Sequence, residues 1–392
     1  MRGQCDDCSG IPVLTELGGR GVAVQNGHLY VHWDDVERRA VLAGHEGRGD
    51  SSEAITLTVA GSPSDLETGL QLAYLLLTEP KVESAAFTQF TTRAREALEE
   101  SLRNPSMFGM RLASGAPYPA DDARTQPLTL EQLDRLTEEA AQSWLDKLIN
   151  TSPIEVVVVG DMPRTQAVEL VARYIGALPP RERVSPTLYA DLRKLQRPAG
   201  PREIKRTIRT ETKQAFVMSS FYGPDETDVA DVRAVAIATR ILSTRMVKEI
   251  REDAQLVYSI GAGSRPGTTY PGFGLVSAAS PTDPGKVPAL VEKVAAMYAA
   301  LAKDGVTEDE LDVAKKQTAN TLDEQMREPG FWLGRMARMT IRGTNFDDVV
   351  HAPEAYQALT ADAVRAAFAK YYSPDRSIIV IVTPEEEPES AP

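Results

Sequence analysis

One order of patterns occurs twice along this chain: strand, helix, helix, loop, helix, strand. The first copy opens with "AITLTVAG" (Ala54–Gly61), whose alternation and β-branched residues predict a strand. "SDLETGLQLAYLLLTEP" follows, with Ser64 and Glu67 at capping-box spacing and Leu66, Leu70, Tyr74 and Leu77 on one helical face. A second helix is expected from Ala86 to about Leu102, then the loop "SGAPYPADDARTQP". Thr129 and Gln132 are placed to cap a helix carrying Leu130, Leu133, Leu136 and Trp144. The run "IEVVVVGD" (Ile154–Asp161) predicts a buried strand, and "RTQAVELVARYIGALP" a helix stopped by Gly176 and Pro179.

The second copy repeats the order. "FGLVSAAS" (Phe273–Ser280) predicts a strand, "VPALVEKVAAMYAALAKDG" a helix ended by Gly305, and "TEDELDVAKKQTANTLDEQM" a helix opened by a Thr307–Glu310 capping box. "LTADAVRAAFAKYYS" predicts another helix and "SIIVIVTP" a closing strand. "SPSDLE" at Ser62 and "SPTDPG" at Ser280 hold equivalent places, as do "EVVVVG" and "SIIVIV". This is a duplicated α+β unit, each copy a mainly antiparallel sheet packed on helices. The copies are unequal: "IKRTIRTETKQAFVMSSFYGP" and "DVADVRAVAIATRILSTRMVKEIRE" precede the second, while the matching part of the first is short and Gly-rich. The expected organisation is an irregular N-terminal region over 1–53 that can add strands to the first domain, and a first α+β domain over 54–181. A Pro- and Arg-rich linker over 182–204, a second α+β domain over 205–384 and a disordered acidic tail over 385–392 follow.

The balance of 43 basic and 56 acidic residues, −13 overall, argues against a nucleic-acid partner. No apolar run approaches the roughly 20 residues of a membrane helix. The start, "MRGQCDDCSGIPV", lacks a signal peptide's apolar core, so the chain is expected to be cytosolic, or a mature or cut piece of something exported to the periplasm. Cys5 and Cys8 stand alone as a pair. A structural zinc site needs four ligands, and the flanking aspartates raise rather than lower thiol pKa values, so an incidental or loosely disulfide-forming terminus is expected.

The usual catalytic centres are missing. The four histidines are His28, His32, His45 and His351, and neither HExxH nor HxxEH occurs. "GHLYVHW" predicts a strand, on which His28 and His32 stand about 13 Å apart, too far to share one zinc. His45 and Glu46 have no partner nearby. "VVVVGDMPRTQ" has the outline of a nucleotide turn without GxGxxG or a P-loop lysine. "GAGSRPGTTYPGFG" predicts a hairpin, and no GxSxG elbow is present.

One stretch remains: "REDAQLVYSIGAG", where a helical pattern gives way to a strand and Arg251 precedes Tyr258 by seven residues. The plain alternative is that Arg251 pairs with Glu249 or Asp253 and Tyr258 is core. Together with "LSTRMVKEIREDAQLVYSIGAGSRP", "GFGLVSAAS" and "LAKDGVTEDELDVAKKQ", however, this stretch resembles the insulinase/pitrilysin family of zinc metallopeptidases. "SDLETGLQLAYLLLTEPKVESAAF" and "VVVVGDMPRTQAVELVARYIGALPPR" resemble it in the first copy. The resemblance covers about Ala54 to Pro384. It implies two homologous halves closing like a clamshell on a peptide. One half carries HxxEH and zinc; the other supplies an arginine and a tyrosine to the substrate, and Arg251 and Tyr258 match that pair.

By that resemblance the chain is the non-zinc half, a subunit or part of a longer chain. It contains no cofactor, its partners are a zinc-bearing homologous half and a peptide, and it cleaves nothing alone. Arg251 would donate hydrogen bonds to peptide carbonyls, and Tyr258 would donate to the carbonyl under attack. The alternative is a catalytically inactive relative serving as a peptide-binding or scaffold protein.

Overall fold

A computed structural model describes residues 63–210 and 212–385, together with five strands before them. Cys5, Cys8, His32, His45, Glu46 and the tail from 386 lie outside the described residues, and His28 is described only as strand backbone. The chain divides into two compact units, 1–98 with 128–184 and 99–127 with 185–392. Both are α+β, the class expected. No helix among the described residues is long and apolar enough to cross a membrane.

In the first unit β1 (Leu14–Leu17), β2 (Arg20–Gln25), β3 (His28–Val31), β4 (Arg39–Ala43) and β5 (Thr56–Ala60) form an antiparallel meander in chain order. Helix α1 (Leu66–Thr78) packs on β5 and buries Leu70, Leu72, Ala73 and Leu76. Its N-cap is Asp65, without a side-chain cap hydrogen bond, so the Ser64–Glu67 box is not formed. Glu67 turns to α6 instead. Its Oε1 accepts from the Tyr174 hydroxyl at 2.8 Å and from Arg173 Nη1 at 2.8 Å.

Helix α2 (Ser84–Ser101) forms where the pattern placed it, and the next, α3 (Pro105–Gly115), is capped by Asn104. The Thr129–Gln132 capping box is present, but it heads only α4 (Leu130–Asp134); α5 (Glu138–Thr151) starts afresh on Thr137. Helix α6 (Arg164–Tyr174) runs into a 3-10 turn through Gly176, which has no left-handed backbone.

The expected strand over Ile154–Asp161 is not formed. Its residues have strand propensity, but no strand among the described residues pairs with it, and Val156 is exposed. A strand exists only where a neighbour takes its N–H and C=O groups.

The second unit holds β6 (Arg202–Ile208), β7 (Ala215–Gly223), α7 (Val229–Met246), β8 (Gly261–Arg265) and β9 (Gly274–Thr282). Helices α8 (Val287–Asp304), α9 (Glu308–Met326), α10 (Pro329–Met336), α11 (Met339–Arg342), α12 (Phe346–Val350), α13 (Ala352–Gln357) and α14 (Ala361–Tyr371) precede the last strand, β10 (Ile378–Pro384). The sheet order is β6-β10-β7-β9-β8; only β6 and β10 are parallel.

Strand β7 is buried along its whole length, and its two-residue period divides the core. Ala215, Val217 and Phe221 face a cluster with Ile241, Leu290, Tyr298, Leu301 and Phe368 from α7, α8 and α14. Phe216, Met218 and Tyr222 belong to the cluster of Ala113, Tyr118, Phe273 and Val380. Helix α3 therefore covers the second face of this sheet although it lies early in the chain. Gly109 permits the approach, since a Cβ there would sit 2.0 Å from Phe216 Cδ1.

The Pro- and Arg-rich segment after 185 also packs on this unit. Arg193 donates to the Thr268 and Thr269 carbonyls at 2.9 and 2.8 Å. Arg202 donates to the carbonyls of Ala116 and Tyr118. Helix α8 ends at Gly305, whose φ of 76° suits glycine, and the Thr307–Glu310 box caps α9 as expected.

Candidate functional site

Helix α7 does not stop cleanly. It widens into a π-helical segment, Val247–Asp253, anchored by the fully buried Ile250. Such segments often stand at functional sites. Gln255 then takes φ 51°, and the Leu256 N–H donates to the Ile250 carbonyl at 3.0 Å. That bond reaches back six residues, one more than the usual closing bond at a helix end, and closes the widened helix beside a left-handed residue, a place where glycine is usual.

The chain beyond Gln255 is held against β9 and the turn after it by side-chain donors. Lys286 Nζ donates to the Gln255 carbonyl at 2.9 Å, and Thr282 Oγ1 to the Leu256 carbonyl at 2.7 Å. Ser280 Oγ donates to the Ser259 carbonyl at 2.6 Å, and Val257 forms an isolated bridge with Thr282. Ser280 and Thr282 are both buried. The carbonyls of Ser259 and Leu256 in turn satisfy these buried hydroxyls, which would cost about 1–3 kcal/mol each if left unpaired.

This clamp fixes the backbone and leaves two side chains outside. Arg251 is exposed and Tyr258 is 85% exposed, so Tyr258 is not a core residue. The Arg251 guanidinium carbon lies 5.6 Å from the centre of the Tyr258 ring, within reach of a cation–π contact. Glu249 is engaged by Lys293 at 2.8 Å, and Arg251 has no ion-pair partner among the described residues. The structure thus brings together the two residues singled out in the sequence and leaves their polar atoms toward solvent. The clamp itself was missed; the available signal was serine and threonine within the apolar run "FGLVSAASPT".

Three residues past Tyr258 begins β8, the end strand of its sheet. It pairs with β9 on one side and with no strand among the described residues on the other. A Cβ on Gly263 would meet nothing within 4 Å. Asp225 steadies the far end of the β8–β9 hairpin by accepting the Gly272 N–H at 2.7 and 2.8 Å. Burial pushes the Asp225 carboxyl above its usual range, against the pull of those bonds.

A zinc ion does not fit the residues described. No group of three or more His, Cys, Asp and Glu among them is arranged to hold a metal, and His351 is the single histidine whose side chain is described.

Residues 135–318 match the family model for the peptidase M16 inactive domain. That match agrees with the insulinase/pitrilysin resemblance of the sequence.

A PQQL-like zinc protease of Arabidopsis thaliana is 23% identical over 293 residues, 70% of this chain and 30% of the relative. An uncharacterized zinc protease of Mycobacterium leprae is 21% identical over 242 residues, 61% of this chain and 53% of the relative. The chain thus spans about a third to a half of these relatives. The solved peptidase M16 inactive domain of Pseudomonas fluorescens superposes with a TM-score of 0.69 at 20% identity, covering 85% of this chain and 78% of that one.

Proposed function

We propose that this chain is the substrate-binding, non-zinc half of a two-part metallopeptidase, and that Arg251 and Tyr258 hold the peptide. The observation that carries this reading is the pair itself. Two side chains seven residues apart are exposed, 5.6 Å from each other, on a backbone pinned by the buried Ser280 and Thr282 and by the exposed Lys286. Exposed aromatic and cationic groups on a rigid frame lose little entropy when they bind.

The peptide would lie along the free side of β8, adding a strand through main-chain hydrogen bonds. Arg251 would donate to a peptide carbonyl near the bond to be broken. The Tyr258 hydroxyl would donate to the carbonyl oxygen of that bond and strengthen its hold as negative charge develops there. The zinc-bearing homologous half would stand on a separate chain or on another part of a longer one.

The test combines this chain with the HxxEH-bearing homologue of the same organism and follows cleavage of a peptide library. Tyr258→Phe is expected to lower kcat about 100-fold, the scale of one lost oxyanion donor, while assembly by gel filtration is unchanged. Arg251→Ala is expected to act mainly through KM. Full cleavage by the double variant would sink the assignment and leave a peptide-binding or scaffold protein. Cleavage by this chain alone, with stoichiometric zinc, would overturn the non-zinc reading.

A further inference from the structure

The strongest feature outside that site is a cleft of about 470 Å³ in the second unit, formed by the end of α9, by α10 and by α11. Its lining includes Glu226, Phe331, Gly334, Arg335, Arg338 and Arg342. From Pro329 to Phe346 the chain has three arginines and no acidic residue, although the whole molecule carries −13. All three arginines reach this one cleft.

The three are not equivalent. Arg342 is a structural member: its Nη1 meets Glu226 Oε2 at 3.0 Å, with both side chains largely buried. That pair neutralises Glu226 and leaves Glu328, exposed at the rim, as the remaining acid of the lining. Arg335 lies 5.4 Å from the centre of the Phe331 ring. Among the described residues, neither Arg335 nor Arg338 has a hydrogen-bond or ion-pair partner for its guanidinium. Arg338 is nevertheless partly buried. A guanidinium that lines a cleft and has no acceptor in the protein keeps its donor fork available to an anion.

The wall is braced. Trp332 Nε1 donates to the Met326 carbonyl at 2.8 Å, and its ring packs on Phe331 and Phe346. Gly330 and Gly334 present bare backbone, and a Cβ at either would meet nothing within 4 Å.

We propose that this cleft binds a small organic oxyanion, its carboxylate or phosphate held by Arg335 and Arg338 and its flat apolar part laid on Phe331. Guanidinium forks match both anions, and the Phe331 ring favours a ligand with an aromatic or other planar body. This site is separate from the Arg251–Tyr258 pair and stands whether or not that pair serves a peptidase.

The test is calorimetric titration of the full chain with phenyl phosphate and with phenylsuccinate, the two arms separating the anion types, and with inorganic phosphate as the ligand lacking a ring. Saturable binding is expected in at least one arm. It should weaken about tenfold or more in Arg338→Ala and Arg335→Ala, the scale of one charge-assisted hydrogen bond, and be unmoved in Arg251→Ala. Arg338→Lys keeps the charge without the fork and should fall between, which guards against reading a misfolded variant as a lost site. Absence of saturable binding in both arms up to millimolar ligand overturns the proposal. So does binding that both alanine variants leave unchanged. Inorganic phosphate binding as tightly as phenyl phosphate overturns the role of Phe331.

Discussion

The runs "EVVVVG" and "SIIVIV" occupy equivalent places in the two copies and have nearly the same composition, yet they end in different structures. The second is β10, paired with β6 on one side and β7 on the other, with Val380 and Val382 fully buried. The first forms no strand, and Val156 within it is 40% exposed. Propensity is shared; neighbours are not. Strand β10 lies between β6 and β7, whereas none of the five strands of the first unit's sheet, β1 to β5, pairs with the first run. A β-prone run becomes a strand only where a neighbouring strand takes its N–H and C=O groups.

The sharpest way to break this comparison is to place a charge in each run. Val380→Asp buries an unpaired carboxylate in the middle of a sheet and should cost at least about 4 kcal/mol, abolishing the cooperative unfolding of the second unit in urea. Val156→Asp should change stability by less than about 0.5 kcal/mol. Equal losses would mean that the first run is paired after all.

The two capping boxes extend the comparison at smaller scale. Thr129–Gln132 heads a five-residue helix, whereas Thr307–Glu310 heads one of 19 residues and is tied to α7. Arg245 donates to both Glu310 oxygens at 2.7 Å, and that pairing, helped by the Thr307 hydroxyl and N–H, holds the Glu310 carboxyl down at about 2. Its folded pKa lies below its unfolded one, so its contribution is complete above about pH 4.5 and is lost as pH falls toward 2. The pair is partly solvent-screened. Glu310→Gln is therefore expected to cost about 1 kcal/mol at pH 7 and to have little effect at pH 2, read from urea midpoints at both. Thr129→Ala should cost less than Thr307→Ala, for which about 1 kcal/mol is expected, because little helix depends on the first cap.

The smallest effect concerns the site. Gln255→Gly relieves a left-handed backbone and should stabilise the chain by up to about 1 kcal/mol in thermal melting, with Lys286 and Thr282 still holding the loop. A loss would show that the Gln255 side chain serves some other purpose.

Much of the fold was legible. Helices α1, α2, α8, α9 and α14, strands β5, β9 and β10, and the Thr307–Glu310 box lie where periodicity and cap residues put them. What was misread has two causes. The helix expected through Leu130 and Trp144 is broken at Arg135–Thr137, where a second local cap on Thr137 starts α5. Glu67 serves Tyr174 and Arg173 rather than its own N-terminus, a contact distant in sequence that prevailed over a local rule. The Arg251–Tyr258 spacing was visible as letters. The buried hydroxyls of Ser280 and Thr282 that set its geometry were not, because they act on carbonyls more than 20 residues away.

The sequence by itself determined the α+β class, the Thr129–Gln132 and Thr307–Glu310 caps and the position of the Arg–Tyr pair; the caps and the pair rest on residues within a turn or two of one another. The tertiary structure alone decided that α3 joins the second unit, that three arginines meet in one cleft, and that one valine-rich run pairs while its counterpart does not. Those outcomes depend on which surfaces are left for an element to cover, and that is fixed only when the whole chain has packed.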